Sequence, residues 1–412
     1  MALPRWEDER LVTGKGRFTD DQNLDSQVYA NFVRSPHAHA KIENINCEKA
    51  IETEGVIAVF SANELEADGI KPIPSDVKVR GPLYPNQDGS IMADPPYFPL
   101  AHKIVRHVGD AVALIIAKTP DIAAEATEKV TIDYTVLPSV TVTAAAQGVG
   151  QPQVWKEAPN NTCFDWVSGN EDETNEALAL ADHIASIQVI DNRVVTCFLE
   201  PRGLLATFNE VTQRYTAHLG CQGIHVTRKR LSQILGVQEE KIRVISRDVG
   251  GGFGSRSFTY PEYAAILWAA GKLKLPIKWI ATRSEDFYSA NQGRDYVLSG
   301  TLGLNAKGDF LALKVSGVCN LGAYVAGSSP FTALRNVTRM LAGVYKTPNL
   351  YLNLSGVFTN TVPIASYRGV GRVEAIYTLE RLIDEAARTT GFDRIELRRR
   401  NCLPPEAMPY TT

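Results

Sequence analysis

The 412-residue chain has a hydrophobic fraction of 44% and a charged fraction of 22%, which is enough apolar material for two or three packed cores. Its net charge of −3 and its scattered Lys and Arg residues argue against nucleic-acid binding, which needs a broad basic surface. No apolar run reaches the roughly 18 residues of a membrane span, and the charged N-terminus does not resemble a signal peptide, so we predict a cytoplasmic protein.

Short apolar and β-branched runs in residues 29–140 predict an α+β domain. These runs are VYANFVRS, GVIAVFS, AVALIIAK and KVTIDYTVL, and the helical pattern PDIAAEATEKV interrupts them. Thr119 can cap that helix, Pro120 suits its first turn, and Asp121 favours the positive end of its dipole. Pro, Gly, Asp and Asn residues between positions 70 and 99 predict a long surface excursion.

A stretch with little periodicity at residues 147–165 marks a predicted domain boundary, which gives domains 1–150 and 151–412. Beyond it, strand-like runs include RYTAHLG, KIRVISRDV, LPIKWIAT and FLALKVSGVCN. Helical patterns at about 224–235, 260–272 and 373–389 are interleaved with these runs. The second domain is therefore also predicted to combine sheets with helices.

The glycine-rich segment GGGFG, residues 250–254, follows a predicted strand and precedes a helix for which Thr259 and Glu262 form a candidate capping box. Glycines let the backbone approach a ligand and turn N–H groups toward an oxyanion, an oxo group or a phosphate. Phe253 is unusual for a phosphate cradle and indicates a loop that also shapes a pocket wall. Taken alone, a tight turn without a ligand fits the segment equally well.

The segment SYRGVGR, which contains Arg368 and Arg372, opens the long amphipathic pattern VEAIYTLERLIDEAART. Two permanent cations beside free backbone donors at a helix N-terminus favour an anion or an electron-rich ligand. The alternative for Arg372 is an ordinary ion pair with Glu374 or another surface acid.

Gln222 lies on a glycine-flanked turn, GCQG, some twenty residues after the segment EPRG that begins at Glu200. A neutral amide there can donate a hydrogen bond without adding charge, although by itself a structural turn explains it better. The six cysteines are widely spaced and include no C-x-x-C pair, so we expect Cys221 to be a buried, inert thiol and predict no metal-ligating side chains.

Together these segments resemble the large subunit of molybdenum hydroxylases of the xanthine dehydrogenase and aldehyde oxidase family. The matching motifs occur in the family's order along nearly the whole chain: EDERLVTGKGRF, RSPHAHA, EPRG, GCQG, GGGFG, YRGVGR and residues 397–409. The resemblance implies an α+β fold in which an α/β hammerhead domain, residues 1–150, precedes the first of two molybdopterin-binding domains, residues 151–412.

The resemblance also implies cofactor-binding roles. Gln222 resembles the glutamine that hydrogen-bonds the apical oxo ligand of molybdenum, and Gly252, Phe253 and Gly254 resemble the loop whose amides face that ligand. Arg368 resembles the arginine on the loop beside the metal. In the family the pterin dithiolene, rather than a protein side chain, holds the molybdenum.

The implied activity is hydroxylation of an aldehyde or an aromatic N-heterocycle with water as the oxygen source. The implied cofactor is molybdenum–molybdopterin, expected in its cytosine dinucleotide form. Electrons would pass to a [2Fe-2S] small subunit and an FAD-binding medium subunit. The family's general-base glutamate belongs to a C-terminal half outside this chain, so we expect a divided subunit or a truncation that is inactive without that half.

Substrates can be narrowed by exclusion. Carbon monoxide dehydrogenases carry a cysteine directly after the arginine that corresponds to Arg368, and this chain has Gly369. Ser257 and Val370 stand where xanthine enzymes place an acidic and an aromatic residue, which disfavours purine oxidation. The alternative to an enzyme component is a non-catalytic fragment or interaction module that retains the hammerhead fold.

Overall fold

Two units make up the computed structural model, which describes residue 3 and residues 5–410. The first unit comprises the described residues up to Pro74, with Pro96–Pro138 and Thr196–Ala290. The second comprises Ser75–Pro95, Ser139–Val195 and the described residues from Asn291 onward. Because both units are discontinuous in sequence, the boundary near residue 150 stays a prediction, and the outer limits of the predicted domains at residues 1 and 412 lie outside the described residues.

The structure contains strands and helices in similar measure. The strands are β1 (Val28–Arg34), β2 (Ala40–Asn46), β3 (Val56–Ser61), β4 (Ile104–Val105), β5 (Ala111–Ala117), β6 (Thr131–Val136), β7 (Thr162–Gly169), β8 (His183–Asp191), β9 (Gly203–Asn209), β10 (Arg214–His218), β11 (Ile242–Ile245), β12 (Ile277–Ile280), β13 (Tyr296–Leu304), β14 (Phe310–Gly322) and β15 (Asn349–Phe358). The α-helices are α1 (Asp8–Val12), α2 (Glu48–Ile51), α3 (Ala62–Ala67), α4 (Val77–Arg80), α5 (Pro120–Lys129), α6 (Glu171–Ala179), α7 (Ile224–Leu235), α8 (Pro261–Leu273), α9 (Arg283–Ser289), α10 (Ser329–Met340), α11 (Arg372–Thr390) and α12 (Arg394–Asn401). Short 3-10 helices cover Gly81–Leu83, Thr143–Ala145, Pro159–Asn161, Glu239–Lys241, Ser255–Ser257 and Pro405–Ala407. This content confirms the predicted α+β class.

A seven-stranded mixed sheet, in the order β11-β10-β9-β12-β1-β5-β3, forms the centre of the first unit. Strand β1 pairs in parallel with β12, where Val28 lies opposite Ile277, and antiparallel with β5. All seven residues of β5 are buried, which explains its continuous apolar run. A three-stranded sheet, β4-β2-β6, belongs to the same unit.

The second unit is built on a five-stranded sheet in the order β7-β15-β14-β13-β8. Strands β14 and β15 are parallel, and the other neighbours are antiparallel. Helix α11 packs on β8 and β13 through buried residues such as Leu379 and Ile383, and α10 packs on α11. The start of α11 therefore has a rigid support.

Two helix starts test the sequence-based capping predictions. Thr119 accepts a hydrogen bond from the backbone N–H of Ile122, which confirms it as the cap of α5. The capping box predicted for α8 is wrong: Tyr260 precedes that helix without a side-chain cap, and Glu262 is buried in ion pairs. The sequence matches the capping pattern, but the Glu262 carboxylate pairs instead with Arg34 and Arg202, which are distant in sequence.

The surface excursion predicted for residues 70–99 is correct only for its middle. Most residues from 78 to 91 are exposed, and α4 and a short 3-10 helix are the regular elements of the segment. Its ends are packed instead, since Ile73, Val77, Met92 and Tyr97 are buried. The turn-forming residues between these apolar side chains dominated the sequence pattern.

Among the described residues, no helix combines the length and apolarity that a bilayer crossing requires.

Candidate functional site

Gln222 and the glycine-rich loop of residues 250–254 lie side by side in the first unit. The backbone N–H of Gly254 donates a hydrogen bond of 2.7 Å to Oε1 of Gln222. A backbone N–H can only donate, so this contact identifies the carboxamide oxygen and leaves the Nε2 group as the outward donor. Gln222 is exposed, and its Nε2 group has no acceptor within the described part of the chain.

The loop's glycines are required by space and by backbone angles. A Cβ atom on Gly252 would lie 2.6 Å from Cδ of Gln222, so only glycine lets the loop pass this close to the carboxamide. Gly251 and Gly254 have φ angles of +109° and +97°. Phe253 also has a positive φ, +49°, and its ring is 42% exposed. The loop thus passes close to the Gln222 carboxamide and exposes one aromatic residue, Phe253.

Glu200 anchors the glycine-rich loop, a role that the sequence analysis missed. Its Oε1 accepts a hydrogen bond of 2.9 Å from the backbone N–H of Thr19, and its Oε2 accepts one of 2.8 Å from that of Gly250. The same Oε2 lies 3.1 Å from Nη1 of Arg256, whose side chain is fully buried. In the EPRG motif, the Glu200 carboxylate therefore binds the glycine-rich loop and does not face solvent.

Arg256 ties three segments together. Its guanidinium donates to the backbone carbonyls of Glu200, Pro201 and Gly220, and it lies 4.5 Å from the ring centroid of Phe198. Gly220 must be glycine, since a Cβ atom there would collide with Nη1 of Arg256. The sequence shows an arginine two positions after the glycine run. It does not show the partners of that arginine, because they lie 36–56 positions away.

Arg202, two residues after Glu200, belongs to a buried charge cluster. It pairs with Glu262 at 3.2 Å and with Asp286 at 2.7 Å, while Arg34 pairs with Glu262 at 2.7 Å. Burial opposes the charged form of Glu262, but Arg202 and Arg34 outweigh that effect and lower the pKa of the Glu262 carboxyl. The cluster joins β1, α8 and α9 and is shielded from solvent, so it is structural.

Arg368 lies in the second unit, on a turn closed by a hydrogen bond of 2.9 Å from the N–H of Val370 to the carbonyl of Tyr367. Its side chain is exposed and has no hydrogen bond or ion pair with the described residues. Of the alternatives left open for Arg372, an ion pair with Glu374 is not formed. Arg294 pairs with Glu374 instead, because side chains two positions apart on a helix do not face each other.

The donor set fits a cofactor that brings its own metal ligands. The described residues contain no group of three His, Cys, Asp or Glu side chains that could hold a metal ion. Cys221 is half-buried, not fully buried as predicted, and its backbone N–H bonds to Ser246. Neutral N–H groups such as those of Gln222 suit an oxo group, which accepts hydrogen bonds.

Two sequence families match the chain. One is described as "Molybdopterin cofactor-binding domain" and matches residues 154–402, and the other, "Aldehyde oxidase and xanthine dehydrogenase, a/b hammerhead domain", matches residues 13–138. The carbon monoxide dehydrogenase large chain of Hydrogenophaga pseudoflava is 31% identical, over 98% of this chain and 50% of that protein. The nicotine 6-hydroxylase large subunit of Paenarthrobacter nicotinovorans is 30% identical, over 99% of this chain and 48% of that protein.

A solved structure is also similar: the quinoline 2-oxidoreductase from Pseudomonas putida 86 superposes with a TM-score of 0.91 at 30% identity, covering 100% of this chain and 51% of that one. This chain spans about half the length of the carbon monoxide dehydrogenase and nicotine 6-hydroxylase chains. The matches confirm the predicted family, the hammerhead and molybdopterin-binding folds, and molybdopterin as the family's cofactor. The chain belongs to the xanthine dehydrogenase family of molybdenum hydroxylases, as a molybdopterin-binding large-subunit sequence.

Proposed function

We propose that this chain contributes cofactor-facing loops to a hydroxylase that oxidises an aromatic N-heterocycle or an aldehyde with water as the oxygen source. The observation that carries the proposal is the outward Nε2 group of Gln222, held in place by the N–H of Gly254. Two of the relatives are named for the N-heterocycles nicotine and quinoline, which supports the heterocycle. Gly369, in place of the cysteine of carbon monoxide dehydrogenases, disfavours carbon monoxide.

The bound molybdenum–pterin group would supply the two-electron oxidation. Gln222 would donate a neutral hydrogen bond from Nε2 to an oxo group of that cofactor, and the Gly254 N–H keeps the amide in that orientation. The free guanidinium of Arg368 attracts an electron-rich or anionic group, because it has no counter-charge among the described residues. Phe253 offers its exposed ring as an apolar wall.

The remaining components are proposed from the family resemblance. They are the cytosine dinucleotide form of the cofactor, a [2Fe-2S] small subunit, an FAD-binding medium subunit, and a C-terminal half that carries the glutamate general base. The greater length of the carbon monoxide dehydrogenase and nicotine 6-hydroxylase chains supports the last of these, since this chain covers about half of each of those two. The cytoplasmic location stays a prediction.

The first experiment is purification from the native host, with mass spectrometry of the accompanying chains and metal analysis. Recovery with molybdenum, flavin and iron–sulfur chains supports the proposal. A metal-free chain without these partners contradicts it and favours the alternative, a non-catalytic fragment or interaction module.

A substitution tests the role of Gln222 in the assembled enzyme. We expect Gln222→Ala to lower kcat by about 10²-fold, the usual cost of removing one preorganised donor, at unchanged molybdenum content and unfolding temperature. Gln233→Ala is the matched control, because Gln233 is an exposed glutamine on α7. An unchanged kcat at full molybdenum content would contradict the assignment.

A further inference from the structure

Arg294, whose side chain is 9% exposed, contacts the loop that carries Arg368. Its Nη2 donates a hydrogen bond of 2.7 Å to the carbonyl of Arg368, and its Nη1 lies 3.4 Å from the carbonyl of Tyr367. The guanidinium also lies 5.0 Å from the ring centroid of Tyr367 and 3.4 Å from Oε1 of Glu374. One side chain thus contacts two loop carbonyls, the loop's aromatic ring and the first turn of α11.

The backbone before Arg294 is itself attached to the chain that leads into this loop. The N–H of Gln292 donates to the carbonyl of Pro363 at 3.1 Å, and the N–H of Ala365 donates to the carbonyl of Gln292 at 2.8 Å. Gly293 packs so closely on Tyr367 that a Cβ atom would collide with that side chain. The guanidinium therefore reaches the loop from a support fixed beside it.

The far end of the loop is fixed as well. Asn336 on α10 donates from Nδ2 to the carbonyl of Val370 at 2.8 Å. A Cβ atom on Gly371 would lie 2.5 Å from the carbonyl oxygen of Ala333, so the loop rests directly on α10. Between these two fixed ends, the Arg368 side chain is exposed.

We propose that Arg294 is a positioning residue that clamps the carbonyls of Tyr367 and Arg368 and so sets the direction in which the Arg368 side chain leaves the loop. The benefit to the reaction rests on the proposed function, whereas the clamp is a property of the chain itself. The contact to the Arg368 carbonyl, at 2.7 Å, is the principal one, since the 3.4 Å distance to Glu374 is long for a charged pair.

Glu374 is the buried carboxyl group that lies beside the Arg294 guanidinium, at 3.4 Å. The carboxyl is 2% exposed, and its Oε2 has no hydrogen-bond partner within the described region. Burial raises the pKa of Glu374, while nearby backbone N–H groups and Arg294 act in the opposite direction. A forked guanidinium can contact this carboxylate and both carbonyls together, whereas a lysine ammonium is a point charge.

The test compares Arg294→Lys and Arg294→Gln with the wild type by hydrogen exchange and by limited trypsin digestion, which cleaves after an accessible Arg368. We expect exchange in residues 366–371 and cleavage between Arg368 and Gly369 to be at least tenfold faster in Arg294→Gln. The increase should be smaller in Arg294→Lys, which keeps the charge. Unchanged protection of residues 366–371 in both variants would overturn the clamp.

A matched control separates the clamp from a general loss of packing. Arg398 is a partly buried arginine of the same unit that bonds Glu380 and Asp384 near the middle of α11, without touching the Arg368 loop. Arg398→Gln should lower the unfolding temperature without a selective increase of exchange in residues 366–371. Equal loosening of this loop in Arg398→Gln would also overturn the clamp.

A kinetic cycle in the assembled enzyme distinguishes the clamp from the proposed function. If Arg294 acts through Arg368, Arg294→Lys and Arg368→Ala should each lower kcat/KM, and the double variant should lose little more than Arg368→Ala alone. Additive losses would overturn that coupling. Faster local exchange with unchanged kinetics in both single variants would retain the clamp and contradict the proposed role of Arg368.

Discussion

At Gln222, one hydrogen bond determines the chemistry that the side chain can offer. The N–H of Gly254 occupies the carboxamide oxygen, so the outward end is a donor. The sequence alone shows only a glutamine on a turn and does not reveal which end of its carboxamide points outward. The family resemblance implies a donor role for Gln222, and the orientation of its carboxamide supports that proposal.

A first prediction concerns the space beside that carboxamide. Gly252→Ala places a Cβ atom 2.6 Å from Cδ of Gln222 and must displace the amide, so we expect kcat to fall by about 10–100-fold. Gly223→Ala is the control, since Gly223 has an extended φ of −176° and a Cβ atom there would meet only Val226, at 4.0 Å. Steady-state kinetics at measured molybdenum content decide the matter. Equal losses in both variants would contradict the explanation.

A second prediction concerns the buried pair behind the loop. Glu200→Ala leaves Arg256 without its carboxylate and removes the acceptor for the N–H groups of Thr19 and Gly250. We expect the free energy of unfolding to fall by about 3 kcal/mol, as for other buried pairs that lose one partner. Urea denaturation measures it.

The control for Glu200→Ala is Glu210→Ala, because Glu210 pairs with Lys274 and both side chains are more than half exposed. The control variant should lose less than about 1 kcal/mol. A Glu200→Ala loss no larger than that of the control would show that the pair does not hold the loop.

Among the secondary-structure elements, those with a complete local signal were predictable. Helix α7 has the predicted bounds, and α5, α8 and α11 agree to within one residue at each end. Each combines a helical apolar period with a start or stop residue, such as Pro120 or Gly391. Strand β15, NLYLNLSGVF, carries a period-two alternation that the analysis missed.

Strand pairing was not predictable. Strand β1 lies between β12 and β5, one of which comes from each of the two predicted domains. The apolar runs specify strands, but a parallel register such as Val28 opposite Ile277 leaves no mark in either local sequence. The roles of Arg256 and Arg294 were not predictable for the same reason, because they depend on carbonyls 36 or more positions away in sequence. Gln222, Phe253 and Arg368 could be named as candidate site residues from the sequence because each lies in a short motif.

A third prediction belongs to a single helix. Thr119→Ala removes the side-chain oxygen that accepts from the Ile122 N–H at the start of α5, so we expect a loss of about 1 kcal/mol in unfolding free energy. Thr119→Ser keeps a hydroxyl and should recover most of that loss. If both variants are equally destabilised, packing of the Thr119 methyl group, rather than capping, accounts for the effect.

At the scale of the whole molecule, acid changes the charge balance. The chain has 46 acidic and 43 basic residues, so protonation of its carboxylates leaves a large positive excess. One identifiable contribution comes from Asp248, whose pKa is lowered to about 2 by its hydrogen bonds from the Arg10 side chain and the Arg17 backbone N–H. These bonds attach α1 and the segment that follows it to the stretch of chain just after β11.

The sign of the Asp248 effect follows from that lowered pKa. A folded-state pKa below the ordinary 3.8 stabilises the protein above about pH 4, and the stabilisation is lost as the pH falls toward 2. We expect Asp248→Asn to be less stable than the wild type at pH 6 by up to about 1 kcal/mol, because the pair is partly exposed. The gap should narrow in urea titrations at decreasing pH. A gap that is constant down to pH 3 would exclude this carboxyl as the source.

The pairing of β1 with β12 has a consequence for the order in which the protein is made. Val28 and Ile277 are about 250 residues apart, so at about 5–20 residues per second roughly 12–50 s pass before β1 meets its parallel neighbour. During synthesis β1 can already pair with β5, but its other edge presents unpaired N–H and C=O groups. The nascent chain therefore carries a half-built sheet with an open edge, and it must be kept from pairing with other chains until the later strands have emerged from the ribosome.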